Sequence, residues 1–441
     1  MDLRPRQIWQ RSSTRARRRS GAAIGIYTSA ALGIAGSLIV FRVLKPHDAG
    51  RYSIVIGAVS FFSLLVDLTS DEALVKYGFR YAAQEDWGRF HQVVRLTFSF
   101  EFAASLVASA LIAAVAPFMG SIFNGGDGLL VPMLIATLLP PLQAIESMGA
   151  AALTLRSRYD IRSAFLTFSM ALRLVGLAIG THYGVTQAIL GILVAQLLTT
   201  GAIAASGIRA LRQFPAASRA PLGDDRTPVL RFVFQSSLDT GLTSLRTWVA
   251  PLTLGMVRDA TTVGYFRAAQ APENGFAVFS APARMILLTD QTRDWELGRF
   301  HAVIADLRRY ILAATLLMAV ILPPVEVLMP WLVRTILGPS YIPATDAARL
   351  ILGSAAIQLI FGWTKSFPVT IGRPGLRVFA HAVETAVLLP LIVIFGDLWG
   401  ATGAGAAVLI SACAYGLVWV AIMVRLRRTD LRPALARSAP A

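Results

Sequence analysis

The sequence predicts an all-α polytopic membrane protein: twelve transmembrane helices in two parallel-repeat six-helix lobes around a central cavity. Three observations predict it. Of the 441 residues, 55% are hydrophobic and only 15% charged, with a mean hydropathy of +0.60. A soluble domain carries about 25% charged residues, so this chain cannot cover itself with a wetted surface. Uncharged apolar runs recur at the length a helix needs to cross a hydrocarbon core of about 30 Å, beginning with "AAIGIYTSAALGIAGSLIVF". Finally, one polar phrase occurs twice: "EDWGRFHQVV" ends at Val94 and "RDWELGRFHAVI" ends at Ile304.

In chain order, an Arg-rich segment (1–21) holds Arg15, Arg17, Arg18 and Arg19. It imitates a signal peptide, but the apolar run after it is too long and lacks a cleavage site, so it reads as a retained first span. Spanning stretches follow near 22–42, 50–69, 95–117, 129–153, 163–181 and 185–207, forming an N-terminal lobe over 22–207. The polar stretch 208–228, broken by Pro and Gly, reads as a linker. Six more stretches, near 229–256, 262–288, 309–336, 345–367, 375–396 and 400–424, form a C-terminal lobe over 229–424, with a tail at 425–441.

Alternate loops are basic. Arginines and lysines gather at the N-terminus, in 70–94, 154–162, 208–231, 284–309 and 365–377, and in the tail. The intervening loops are nearly free of them, apart from Lys45, Arg51, Arg258, Arg334 and Arg349. By the positive-inside rule both termini are cytoplasmic. This placement also accounts for the net charge of +16, which in a soluble protein would point to nucleic acid; none is expected as a partner here.

The doubled phrase is one of four ordered echoes. Gly50 answers Gly264, Arg89 answers Arg299, Arg158 answers Arg373 and Gly184 answers Gly400, at offsets between 210 and 216 residues. Such self-similarity marks an internal duplication. Six spans per half make the repeat parallel, an arrangement in which two lobes rock about a central site. The phrase itself, for all its Trp and His, reads as a connection at the membrane surface.

Catalytic signatures are missing from the sequence. There is no phosphate-binding G-x-x-x-x-G-K-[ST] loop and no H-E-x-x-H pair; of the five histidines, His91 and His301 lie in the doubled phrase and His47, His182 and His381 are scattered. Cys413 is the only cysteine, which excludes a disulfide framework within the chain and a Cys-based metal site. No enzyme activity and no cofactor are expected.

Several motifs together resemble polysaccharide flippases of the Wzx type, in the multidrug/oligosaccharidyl-lipid/polysaccharide (MOP) exporter superfamily. They are Leu44, Pro46, Gly50 and Tyr52 after the first span, and Val263, Gly264, Phe266 and Ala269 at the eighth. Gly338, Tyr341 and Ala344 in "LGPSYIPATDAARLILGSAAI", and the closing "GDLWGATGAGAAVLIS", complete the set. The resemblance runs from about residue 15 to 425. It implies translocation of a lipid-linked oligosaccharide, carried on undecaprenyl diphosphate, from the cytoplasmic to the outer leaflet of the bacterial inner membrane by alternating access. It also implies other polysaccharide assembly or export proteins as partners, with coupling to H+ or Na+ left open.

The task needs a cationic spot for the diphosphate, a polar cavity for sugars and an apolar flank for the lipid. Intramembrane charges cost a few kcal/mol each, so each asks for a role. The resemblance implies a cavity lined by spans one, two, seven and eight, which selects Arg42, Arg51, Arg246 and Arg267. Arg246 sits deepest; the others lie at span ends, where snorkelling to the interface is the plainer role. Asp67, Glu273 and Asp239 are the candidate coupling carboxylates. Many relatives carry an acid mid-way along span seven where this chain has Arg246, with Asp239 two turns earlier. Arg173, on a span away from the cavity, is expected to neutralise a buried carboxylate, and Glu101, Glu146 and Glu384 to be structural. Trp248, Trp363 and Tyr265 are candidates for stacking on sugars.

Other readings stay open: a multidrug–cation antiporter or lipid II flippase of the same superfamily, or a membrane glycan polymerase or ligase. The last normally needs a long charged external loop, and the external loops near 117–128 and 336–344 are short.

Overall fold

A computed structural model describes residues 24–426 apart from 26, 67–69, 124–127, 219, 274–290, 292–293, 296, 372 and 374. The described residues are overwhelmingly helical and contain no strand. In order the helices are α1 (Tyr27–Val43), α2 (Pro46–Val66), α3 (Ser70–Ala83), α4 (Trp87–Val115), α5 (Leu130–Ala136), α6 (Leu139–Leu155), α7 (Tyr159–Gly180) and α8 (Val185–Leu211). There follow α9 (Arg226–Val257), α10 (Ala260–Ala269), α11 (Phe300–Leu332), α12 (Thr345–Ile360) and α13 (Gly375–Leu426).

Among the described residues six helical segments are long and apolar enough to cross a membrane. The lipid-facing stripe of α11 makes the point: Val320 is 72% and Val327 76% exposed, a waste of apolar surface in water but the natural outcome in a hydrocarbon solvent. Boundaries follow local chemistry. Pro46 opens α2, where its missing N–H costs nothing. Asp86 caps α4, its carboxylate accepting from the Arg89 amide at 3.0 Å. Asp259 caps α10 through the Thr262 amide at 3.2 Å. Burial works against ionising Asp259, but hydrogen bonds from Thr262 and Thr261 hold its carboxyl below the usual value. The α7–α8 turn closes on Gly184 at φ 113°, and α13 is broken at Gly400 at φ 59°. The two glycines paired in the sequence thus both take backbone conformations that L side chains resist.

Contacts divide the chain into two compact units. One comprises Val55–Ile122 and Gly126–Leu245 together with α1; the other comprises Lys45–Ile54 and the chain from Arg246 onward. In the first unit, close helix approaches are made by small residues. Gly176 on α7 and Gly191 on α8 stand against each other's backbone, and Gly149 on α6 meets the Ile203 carbonyl on α8. Helices surrounded by lipid gain little from apolar burial against one another, so such packing is what holds them together. At one end of this unit Tyr77, Tyr81, Phe90, Met148 and Leu222 form a buried cluster. The second unit has its own cluster of Val303, Leu307, Trp363, Phe367, Tyr415, Trp419 and Leu426.

Candidate functional site

In the second unit the start of α2 crosses α10 at glycines. A Cβ on Gly50 would collide with the Ala260 carbonyl oxygen, and one on Gly264 with that of Pro46. Backbone therefore rests on backbone, and no other residue type fits. This crossing places Arg51 and Tyr52 on one helix, and Tyr265 and Arg267 on the other, within a turn of the contact.

Arg267 is half-buried. Its guanidinium lies 5.3 Å from the centre of the Trp248 ring, a cation–π contact. Its Nη1 donates to Gln270 Oε1 at 2.9 Å, and Tyr52 and Glu273 are its electrostatic neighbours. Arg51 keeps Nη1 3.6 Å from Asp48 Oδ1, while its Nε is buried without a hydrogen-bond partner among the described residues. Tyr265 meets the buried Tyr341 edge to face at 6.2 Å. Burial, then the neighbouring Tyr265 and Asp48, push the Tyr341 hydroxyl pKa up. Chemically this is a patch of guanidinium donors beside aromatic faces. Guanidinium forks match phosphate oxygens, and aromatic rings offer an apolar body to a sugar face.

Of the residues selected from sequence, Arg51, Arg267 and Glu273 thus belong to the second unit, Arg267 with Glu273 as an electrostatic neighbour. Arg42 is exposed at the end of α1 in the first unit. Arg246 and Asp239 lie on α9, with side chains outside the described residues, as Asp67 is altogether. Trp363 is 3% exposed, packed against Trp419 and Phe367, so it is core and not a sugar platform.

Arg173 finds its carboxylate. Its Nη2 donates to Gln196 Oε1 and lies 3.7 Å from Glu146 Oε2, while Gln196 Nε2 donates to Glu146 and, at 3.1 Å, to Thr200. One polar chain thus ties α6, α7 and α8. Sequence reasoning missed a second cluster, in which His381 Nδ1 stands 3.0 Å from Glu384 Oε2. His381 also stacks on Tyr415 at 5.0 Å, and the Tyr415 hydroxyl meets Thr364 at 2.6 Å. The i, i+3 spacing in "HAVE" was the available signal. Among the described residues no three His, Cys, Asp or Glu side chains gather as a metal site.

Solved structures share this fold. A lipid II flippase, MurJ, in an inward closed conformation aligns with a TM-score of 0.71 at 14% identity, over 91% of this chain and 87% of its own. An inward-facing multidrug resistance transporter of the MATE family, in the MOP superfamily, gives 0.69 at 14% identity over 93% and 96%. A MATE transporter of Vibrio cholerae gives 0.59 at 13% identity over 95% and 98%. Comparison with curated protein sequences returns no match. Residues 39–283 match the family model described as polysaccharide biosynthesis protein. That match takes in more than half of the chain, including the glycine crossing and Arg267, and it places this membrane protein in the polysaccharide biosynthesis protein family.

Proposed function

We propose that the chain is a Wzx-type flippase. It carries a lipid-linked oligosaccharide, on undecaprenyl diphosphate, from the cytoplasmic to the outer leaflet of the bacterial inner membrane. Arg267 is the observation that carries this reading. A guanidinium held on an apolar helix, against Trp248 and with donors to spare, is costly in a membrane and suits a diphosphate. Arg51 and Arg246 are the further diphosphate ligands, and Arg42 the contribution of α1. Glu273, with Asp67 and Asp239, is where an H+ or Na+ would couple. Membership of a polysaccharide biosynthesis family supports the glycan part of the reading, and a fold shared with transporters supports transport over catalysis. Neighbouring assembly and export proteins are the partners.

The test is to remove the protein and measure which leaflet holds the lipid-linked glycan. In cells lacking the chain the glycan should accumulate on the cytoplasmic side, and the wild-type gene should restore export. Arg267→Ala should cut the rate by about tenfold or more at unchanged protein level, the loss expected for hydrogen bonds to a charged group. Arg267→Lys should rescue only partly, since an ammonium lacks the fork. Normal outer-leaflet glycan in the deleted strain overturns the reading. Efflux of organic cations with normal glycan export would favour the antiporter alternative.

A further inference from the structure

The two copies of the doubled phrase differ in what covers them. In the first, the stretch after α8 folds back over it. Phe214 packs against Phe90 at 4.7 Å and Trp87 at 5.8 Å, and His91 Nε2 meets the Pro215 carbonyl at 3.0 Å. Gly88 lets Ser218 and Ala220 approach so closely that an added Cβ would stand 2.9 Å from the Ser218 carbonyl oxygen. Farther along, Asp225 takes a hydrogen bond from the Tyr81 hydroxyl at 3.0 Å and stands between Arg80 and Arg89 at 3.6 and 3.7 Å. Phe90 ends fully buried.

The second copy keeps the same internal contacts. Arg299 pairs with Asp294 at 3.7 Å, as Arg89 does with Asp86 at 3.5 Å. Trp295 meets Phe300 at 4.8 Å, as Trp87 meets Phe90 at 5.7 Å. Yet Leu297 is 55% exposed, the Arg299 side chain 65%, and His301 is exposed. Around Gly298, no described residue comes within 4 Å of where a Cβ would stand.

The chain leads to each copy in the same way. Leu211, ending α8, packs in the cluster that holds Trp87 and Phe214. Leu426, ending α13, packs in the cluster that holds Trp295. Beyond Leu211 the sequence runs Pro215-Ala216-Ala217-Ser218-Arg219-Ala220-Pro221; beyond Leu426 it runs Pro433-Ala434-Leu435-Ala436-Arg437-Ser438-Ala439-Pro440. One inserted residue separates two otherwise parallel Pro-Ala…Arg…Ala-Pro stretches.

We propose that residues 429–440, outside the described part of the chain, dock on the cradle of Trp295, Leu297, Arg299, Phe300 and His301, as 214–225 dock on the first copy. Leu431 takes the place of Phe214, the Pro433 carbonyl meets His301 as that of Pro215 meets His91, and Asp430 supplies a second carboxylate to Arg299. The tail is the occupant because it starts in the cluster that already includes Trp295 and brings the apolar, proline and acidic groups the first copy uses.

Cysteine cross-linking on the full chain in native membranes, in a Cys413→Ser background, tests this. His91→Cys with Pro215→Cys serves as the positive control. A flexible bifunctional thiol reagent, which spans a ring-to-carbonyl contact that a direct disulfide does not, should join His301→Cys to Pro433→Cys within one chain as completely as it joins the control, seen as a linked peptide by mass spectrometry. A pair that stays unlinked while the control links, or one that links only between two copies of the chain, overturns the proposal. Hydrogen exchange gives the second readout. Amides of 297–303 should exchange about tenfold faster once the chain is cut after Arg428, with 87–93 unchanged; equal rates in both forms overturn it.

Discussion

Glu146 and Arg173 sit on α6 and α7 with Gln196 of α8 between them. Their side chains are 20% and 24% exposed, so neither has water enough to stand alone. Removing one partner strands the other charge, which costs about 3–5 kcal/mol for buried pairs. Losing one neutral interhelical hydrogen bond in a membrane costs only about 0.6 kcal/mol. Arg173→Ala should therefore destabilise the protein in detergent by about 3 kcal/mol, while Ser169→Ala, which gives up a long 3.5 Å contact to Thr199, should cost under about 1 kcal/mol. Unfolding curves of the two variants check this; equal losses would show that the pair is not what matters. At this scale the sequence disclosed the need and not the partner. A lone arginine in "FSMALRLVGLA" had to be neutralised, but finding Glu146 and Gln196 requires knowing which helix faces meet. Trp363 shows the converse: its residue type suggested a sugar platform, and only packing against Trp419 and Phe367 reveals it as core.

Whole elements were legible where apolar length decides them. Among the described residues the helical stretches fall where the hydropathy places them, most of the stretch near 262–288 lying outside those residues, and breaks come at Gly184 and Gly400, whose positive φ only glycine adopts cheaply. Breaks inside apolar runs are less visible. The 129–153 stretch divides at Thr137–Leu138 into α5 and α6, just ahead of a Pro-Pro pair whose ring constraints disturb the helix before them. Glycine positions separate structure from freedom most sharply. Gly50→Ala or Gly264→Ala puts a methyl into a carbonyl oxygen, and each should sharply lower the yield of folded protein. Gly33→Ala, on α1 with nothing described within 4 Å, should leave yield intact and add about 0.5–1 kcal/mol of stability by favouring the helix. Monodispersity after detergent extraction separates the two classes; a well-folded Gly264→Ala protein would mean that the crossing relaxes.

For the molecule as a whole, orientation rests on where lysines and arginines lie and not on net charge. Three of the five basic residues that break the alternation are paired: Arg51 with Asp48 at 3.6 Å, Arg258 with Asp397 at 3.8 Å and Arg349 with Asp346 at 3.2 Å. Arginines of the basic loops pair as well, Arg80 and Arg89 with Asp225 and Arg299 with Asp294, so pairing does not separate the two sets of loops; Arg156 instead stacks its guanidinium on Phe214 at 5.0 Å and lends one donor to Gln213. The sequence expects both termini on the cytoplasmic side, and fusions test it. Alkaline phosphatase fused after Gly184 or Gly338 should be active, and green fluorescent protein fused after Ser157 or Ser218 should fluoresce; the reverse pattern would invert the orientation. The candidate site is a whole-molecule property and was the least legible. The family resemblance named Arg51 and Arg267, but Trp248, Gln270 and Tyr341 join them only through the fold.

The glycine crossing has a property of symmetric dimers. Gly50 meets the carbonyl of Ala260, four residues ahead of Gly264, and Gly264 meets that of Pro46, four residues ahead of Gly50. Position i touches j and j touches i, the self-complementary pattern of an isologous interface, here inside one polypeptide. In a true homodimer both sides must carry the same side chains, and a ligand bound on the axis can lie either way round. A duplicated chain is released from that identity. Here Arg51 corresponds to Tyr265, and Ser53 to Arg267, so an unchanged backbone contact is framed by unlike neighbours. The surface beside the contact is therefore handed, with no second direction equivalent to the first.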